Sequence, residues 1–244
     1  YNVAIGHEAG TLIVDGAQNV LVGYGAAGNG DIGSNNVLVG MQAGYGSTDA
    51  TQSVAIGNDA GKFGLKAASG SIAMGQNALK GHSSNTTGAN YNTALGHFSM
   101  EDVTTGDDNT AIGSYSLLEI TTGSTNIAIG HDAGNNITTG SHNVVIGGAD
   151  VPSATGSSQL SISSGGGGVT WITGTSDSGV LMGDGTVPNG STAGQLTISN
   201  ANANTFAHTL LLVDSEDDAT NGPVLTLYRN SASPADNDLS LIHI

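Results

Sequence analysis

The sequence returns to one five-residue pattern roughly every 17 residues. Aligned on a Gly that closes a short apolar run, the anchors are Gly6, Gly23, Gly40, Gly57, Gly75, Gly96, Gly113, Gly130 and Gly147. The steps between them are 17, 17, 17, 18, 21, 17, 17 and 17. Four residues before each anchor stands Asn2, Asn19, Asn36, Ser53, Ser71, Asn92, Asn109, Asn126 or Asn143. Three before it is mostly Val or Ile, and one before it is Ile, Val, Leu or Met. The residue between those two is Ala in most copies and otherwise Leu21, Leu38 or Val145. A fixed period of this kind marks a repeat architecture, in which each unit buries its apolar face only against its neighbours.

Asn–Val–Ala–Ile–Gly is too short for a helix and rich in β-branched residues, so each unit is predicted to be a strand. Side chains alternate faces along a strand. The Val and Ile positions therefore share one face, and the small residue between them takes the other. Both faces are expected to be buried, one against the coil interior and one against a neighbouring surface. The anchor Gly permits a bend that other residues resist. A second apolar site follows at Ala9, Ala43, Ala60, Leu79, Met100, Leu117 and Ala133. Turns such as Thr104–Thr105–Gly106, Thr121–Thr122–Gly123 and Thr138–Thr139–Gly140 close the coil. The expected fold is all-β, a parallel β-solenoid or β-roll of about nine 17-residue coils over 1–150. Coils stack about 4.8 Å apart, giving a rod on the order of 43 Å long.

Composition removes several alternatives. No apolar run approaches the roughly 20 residues of a membrane-spanning helix, so membrane insertion is not expected. The absence of Cys excludes disulfides and Cys-ligated metals. Lys+Arg is 4 against Asp+Glu 20, a formal net charge of −16, which makes nucleic acid a poor partner. Each coil offers few aliphatic side chains, and 39 Gly raise the entropic cost of ordering. A lone solenoid this thin would leave the small-residue face exposed along its length. Self-association is therefore expected.

The repeat is similar to that of trimeric autotransporter adhesin heads, whose consensus resembles Asn–Ser–Val–Ala–Ile–Gly. The longer spacer, with turns such as Asn85–Thr86–Thr87–Gly88, more closely resembles repeats in bacteriophage tail fibres. The resemblance covers about residues 1–150 and implies a left-handed parallel β-roll packed as a homotrimer. Ser53 and Ser71 depart from the Asn column, and the segment 62–69 and the 21-residue step interrupt the period.

After Asp150 no further anchor follows, and the register is read as stopping there. Residues 151–193 are read as a Gly-rich junction and 194–244 as a truncated β-rich module. Strand-like runs are expected at Val169–Thr173, Val180–Met182, Gln195–Ser199, Thr209–Val213, Val224–Tyr228 and Leu239–Ile244. Trp171, the only Trp, is read first as a packing residue. The stretch from Leu210 to Asp238 is similar to a tail-fibre module that lies upstream of a self-trimming chaperone. Leu239–Ile244 departs from it, and both ends read as cut from a longer fibre.

Chemical sites are sparse. His7, His97 and His131 follow their anchors in coils one, six and eight, so only two are even near one another and a surface role outweighs a metal column. Asp214, Glu216, Asp217 and Asp218 are the densest carboxylates, but they lack the spaced Ca²⁺ loop and read as a solvated turn. No catalytic residue, cofactor site or metal is assigned, and no enzyme is expected. Tyr24, Tyr45, Tyr91 and Tyr115 are candidate surface contacts able to stack on sugars.

Three function classes follow. The first is a structural and receptor-binding segment of a trimeric phage tail fibre, on the virion. It would bind a host-surface glycan or protein by multivalent contact. The alternative is the head of a bacterial surface adhesin, which would continue into a coiled-coil stalk that 151–244 do not resemble. A fibre-borne depolymerase would need carboxylates grouped across a groove, and those of 1–150 are scattered. The Thr pairs repeating over three coils also admit an ice-binding face as a minor reading.

Overall fold

The structure, a computed structural model, describes residues 1–84, 89–164 and 170–174, together with strands at 180–182 and 196–198. Each repeat contributes one three-residue strand, ended by its anchor Gly. The strands are β1 (Val3–Ile5), β2 (Val20–Val22), β3 (Val37–Val39), β4 (Val54–Ile56), β5 (Ile72–Met74), β6 (Thr93–Leu95), β7 (Thr110–Ile112), β8 (Ile127–Ile129) and β9 (Val144–Ile146). Each pairs in parallel with the next, matching equivalent positions, as Ala94, Ala111 and Ala128 do across β6, β7 and β8. The result is an all-β parallel solenoid of nine coils. The longer steps do not break the pairing: β4, β5 and β6 stay in register across them.

The core is one side chain deep. From β2 to β9 the middle residue of each strand points into it: Leu21, Leu38, Ala55, Ala73, Ala94, Ala111, Ala128 and Val145 are fully buried, whereas Ala4 in the terminal strand β1 is exposed. Bulk is shared between facing sites. Where the strand offers Ala73, Ala94 or Ala111, the same coil also buries the larger Leu79, Met100 or Leu117 four residues past its anchor. Where it offers Leu21 or Leu38, the site facing it is Gly10 or Gly44, and a Cβ at either would press on that leucine. Interiors pack to nearly constant density, so a large residue on one wall requires a small one opposite.

This arrangement corrects the expected faces. The small-residue face is the interior and is not exposed. The Val and Ile positions face outward, and none of them is buried in the single chain. A narrow coil has room for one inward column per strand, so alternation sends both larger neighbours out.

The register also runs past Asp150. β10 (Leu160–Ser163) pairs in parallel with β9, with Leu160 on Val144 and Ile162 on Ile146. Gln159 occupies the Asn column, buried Ser161 the centre, and Ser163 the anchor position. β11 (Thr170–Gly174) then adds antiparallel to β10, β12 (Val180–Met182) adds antiparallel to β11, and β13 (Leu196–Ile198) adds parallel to β12. These last three coincide with expected strand runs. Trp171, read as a packing residue, is 54% exposed on β11. The runs at Thr209–Val213, Val224–Tyr228 and Leu239–Ile244, and the carboxylates Asp214, Glu216, Asp217 and Asp218, lie outside the described residues.

Candidate functional site

The column of Asn residues forms a buried ladder along one edge of the strands. The Oδ1 of Asn109 accepts hydrogen bonds from the backbone N–H and the Nδ2 of Asn126, at 2.9 and 3.0 Å. The Nδ2 of Asn109 donates to Asn92 Oδ1 and to the carbonyl of Gly123, where the coil closes. The same set recurs at Asn19, Asn36, Asn126 and Asn143. Asn has the short reach, the acceptor and the paired donors that this position needs. Ser53 and Ser71 keep the chain of bonds with a hydroxyl, more loosely: Ser71 N donates to Ser53 Oγ at 3.4 Å. At the far end Gln159 folds back. Its Nε2 donates to Asn143 Oδ1, Ser153 O and Gly156 O, and its Oε1 accepts from Ser153 N.

A second ladder runs beside the first with opposite polarity. The backbone N–H of Asp107 donates to Ser124 Oγ, Ser124 to Ser141 Oγ, and Ser141 to Ser157 Oγ, each at 3.0 Å. At the other end of each strand the anchor Gly takes φ between +92° and +146°. A Cβ on most of these anchors would also collide with the carbonyl of the next anchor, as Gly113 would with Gly130. Both the conformation and the close stacking exclude any side chain there.

Two ladders and a stacked Gly column hold the strands rigidly, and this fixes the outward face. It carries two columns. One is Val3, Val20, Val37, Val54, Ile72, Thr93, Thr110, Ile127 and Val144; the other is Ile5, Val22, Val39, Ile56, Met74, Leu95, Ile112, Ile129 and Ile146. No position in either is charged, although the chain carries −16. Many are more than a third exposed, from Ile112 at 36% to Ile5 at 59%. The strip is on the order of 40 Å long and roughly 10 Å wide, beyond the scattered apolar exposure of an ordinary surface.

The four tyrosines do not converge. Tyr24 follows its anchor and stacks on His7, centroids 5.3 Å apart. Tyr115 lies in a cluster spanning three coils: it stacks on Phe98 at 5.5 Å and meets His97 and His131 edge-on. One face of its ring is thus already covered. Tyr45 lies 5.8 Å from the ammonium of Lys62, which also bonds Gln42 Oε1 and pairs with Asp59. Tyr91 is exposed before β6 and lies over Gly70. In the Thr pairs the first member is structural, since Thr104 and Thr121 donate through Oγ1 to Thr121 O and Thr138 O. Only Thr105, Thr122 and Thr139 remain as an exposed column. Among the described residues no three His, Cys, Asp or Glu are grouped to hold a metal ion, and no helix is long and apolar enough to cross a membrane.

Sequence reasoning located the Asn column without its role and assigned the wrong face to the interior. The signal for the role was present: an amide recurring next to a strand in an all-β repeat can satisfy buried backbone groups coil after coil. Compared with protein-family models, curated proteins and solved structures, the chain matches none.

Proposed function

We propose that this chain is a structural and receptor-binding segment of a trimeric bacteriophage tail fibre, displayed on the virion and without enzymatic activity. The observation that supports it most is the uncharged aliphatic strip along the whole solenoid. Water-exposed apolar surface of that length favours burial against another surface. Strongly like-charged chains can approach closely only where neither presents charge. Three copies meeting at this face bury it around one axis and leave the polar turns outside. The rigid rod then presents repeated weak contacts, among them Tyr24, Tyr45, Tyr91 and Tyr115, to a host-surface glycan or protein, and gains affinity through multivalency.

Light scattering on the full chain tests the assembly, and adsorption to bacterial surface polysaccharides tests the binding. A trimer that adsorbs, and loses adsorption when dissociated, is the expected result. A stable monomer overturns this reading.

A further inference from the structure

The outward strip is aliphatic at every position but two. Thr93 in β6 and Thr110 in β7 occupy the Val column in consecutive coils and are paired directly across the sheet. Both are only partly buried, and neither hydroxyl has a hydrogen-bond partner among the described residues. Elsewhere in the described solenoid the partly buried Thr51, Thr104, Thr121 and Thr138 do use their hydroxyls, whereas Thr48, set in a turn away from the strip, does not. Two unused hydroxyls, side by side, interrupt a surface otherwise suited to dry contact.

A solenoid has a particular difficulty in self-association. Its coils are nearly alike, so copies displaced along the axis by one coil still lay Val and Ile columns on Val and Ile columns. Apolar contact is non-directional and discriminates poorly between such registers. A polar group inside an apolar interface does discriminate, because it needs a partner and leaves an unsatisfied one costly.

Resting on the self-association proposed above, we propose that Thr93 and Thr110 set the axial register of the assembly. The occupant of the strip is a second copy of this chain. A partner surface must match the coil-to-coil rise and carry no charge, and this chain's own strip does both. In the aligned register Thr93 and Thr110 of one copy face Thr93 and Thr110 of the next, and the hydroxyls bond to one another. A slip of one coil sets Thr110 against Ile127, and Thr93 of the other copy against Ile72. A slip of two coils leaves all of them facing aliphatic side chains.

The test uses the full chain, which contains no Cys. Asp15→Cys and Thr139→Cys place exposed thiols at equivalent turn positions seven coils apart. One variant carries a nitroxide and the other a gadolinium label. After co-refolding, pulsed electron resonance reads only distances between differently labelled chains. The parent sequence is expected to give one narrow distance. Thr93→Val with Thr110→Val, nearly isosteric and on the surface, is expected to keep the assembled mass and add distances displaced by up to about 5 Å per coil slipped. Thr93→Ser with Thr110→Ser keeps the hydroxyls and is expected to restore the single distance. One narrow distance in the Val variant, or several in the parent, overturns the register role while leaving the assembly standing. A monomeric parent by light scattering overturns the assembly, and the register role with it.

Discussion

Asn126 gives both its backbone N–H and its side-chain amide to one oxygen, the Oδ1 of Asn109. Each coil is thus tied to the one before it by a side chain as well as by strand pairing. Asn109→Ala would orphan the N–H of Asn126 and the carbonyl of Gly123 in a buried column. The expected loss is about 3 kcal/mol. Hydrogen exchange checks it, since the Asn126 amide would lose protection first while distant coils keep theirs. Asn109→Ser, which copies what Ser53 and Ser71 do, should cost roughly half as much.

Ser53→Asn is the converse. Ser53 accepts from Ser71 N at 3.4 Å, at the long limit of a hydrogen bond. An amide there can reach farther and bridge to the turn that closes its coil. A gain of about 0.5–1 kcal/mol is expected, read as a rise in melting temperature. An unchanged or lower value would mean that the 18-residue step has already shifted this coil away from ladder geometry.

Gly113→Ala should be far more damaging than its size suggests. The residue holds φ +133°, and its Cβ would enter the Gly130 carbonyl. The two coils would have to separate, with an expected cost of several kcal/mol. Thr122→Ala, on the exposed turn that closes the same coil, is expected to change stability by less than about 0.5 kcal/mol. Circular dichroism with denaturant titration compares the two.

Ile112→Lys with Ile129→Lys places two charges on the outward strip without touching the interior. Strand content by circular dichroism is expected to hold, while the mass by light scattering falls to that of one chain. Thr105→Lys with Thr122→Lys puts the same charges on the turn face and is expected to leave the mass unchanged. Equal behaviour of the two pairs would remove the strip from any role in assembly.

How far the sequence revealed the molecule depended on the kind of signal. Period, strand position and anchor Gly were legible because backbone geometry demands specific residues there. Which face lies inside was not, because alternation is symmetric: Val–Ala–Ile is compatible with either the Ala or its neighbours buried. The bulk carried elsewhere in the coil decides: Leu79, Met100 and Leu117 are fully buried in the same coils as Ala73, Ala94 and Ala111, and leave room for only a small inward residue on the strand. The tenth strand escaped notice because Gln159–Leu160–Ser161–Ile162–Ser163 shares almost no residue identity with the repeat. It keeps only the hydrogen-bonding capacity of the amide and the alternation of sizes. The tyrosines fell in different columns because their positions are set by turns, whose residues the period constrains least.

The opposed ladders have a mechanical consequence. Their bonds, like those between strands, lie along the solenoid axis, so a pull on the two ends of the rod loads the coils one after another in series. Most junctions resist with strand bonds and an Asn amide link together, while those after Ser53 and Ser71 have a hydroxyl in place of the amide. The weakest junction then sets the strength of the whole, and the stretched contact between Ser53 and Ser71 marks where such a rod would first give way under tension.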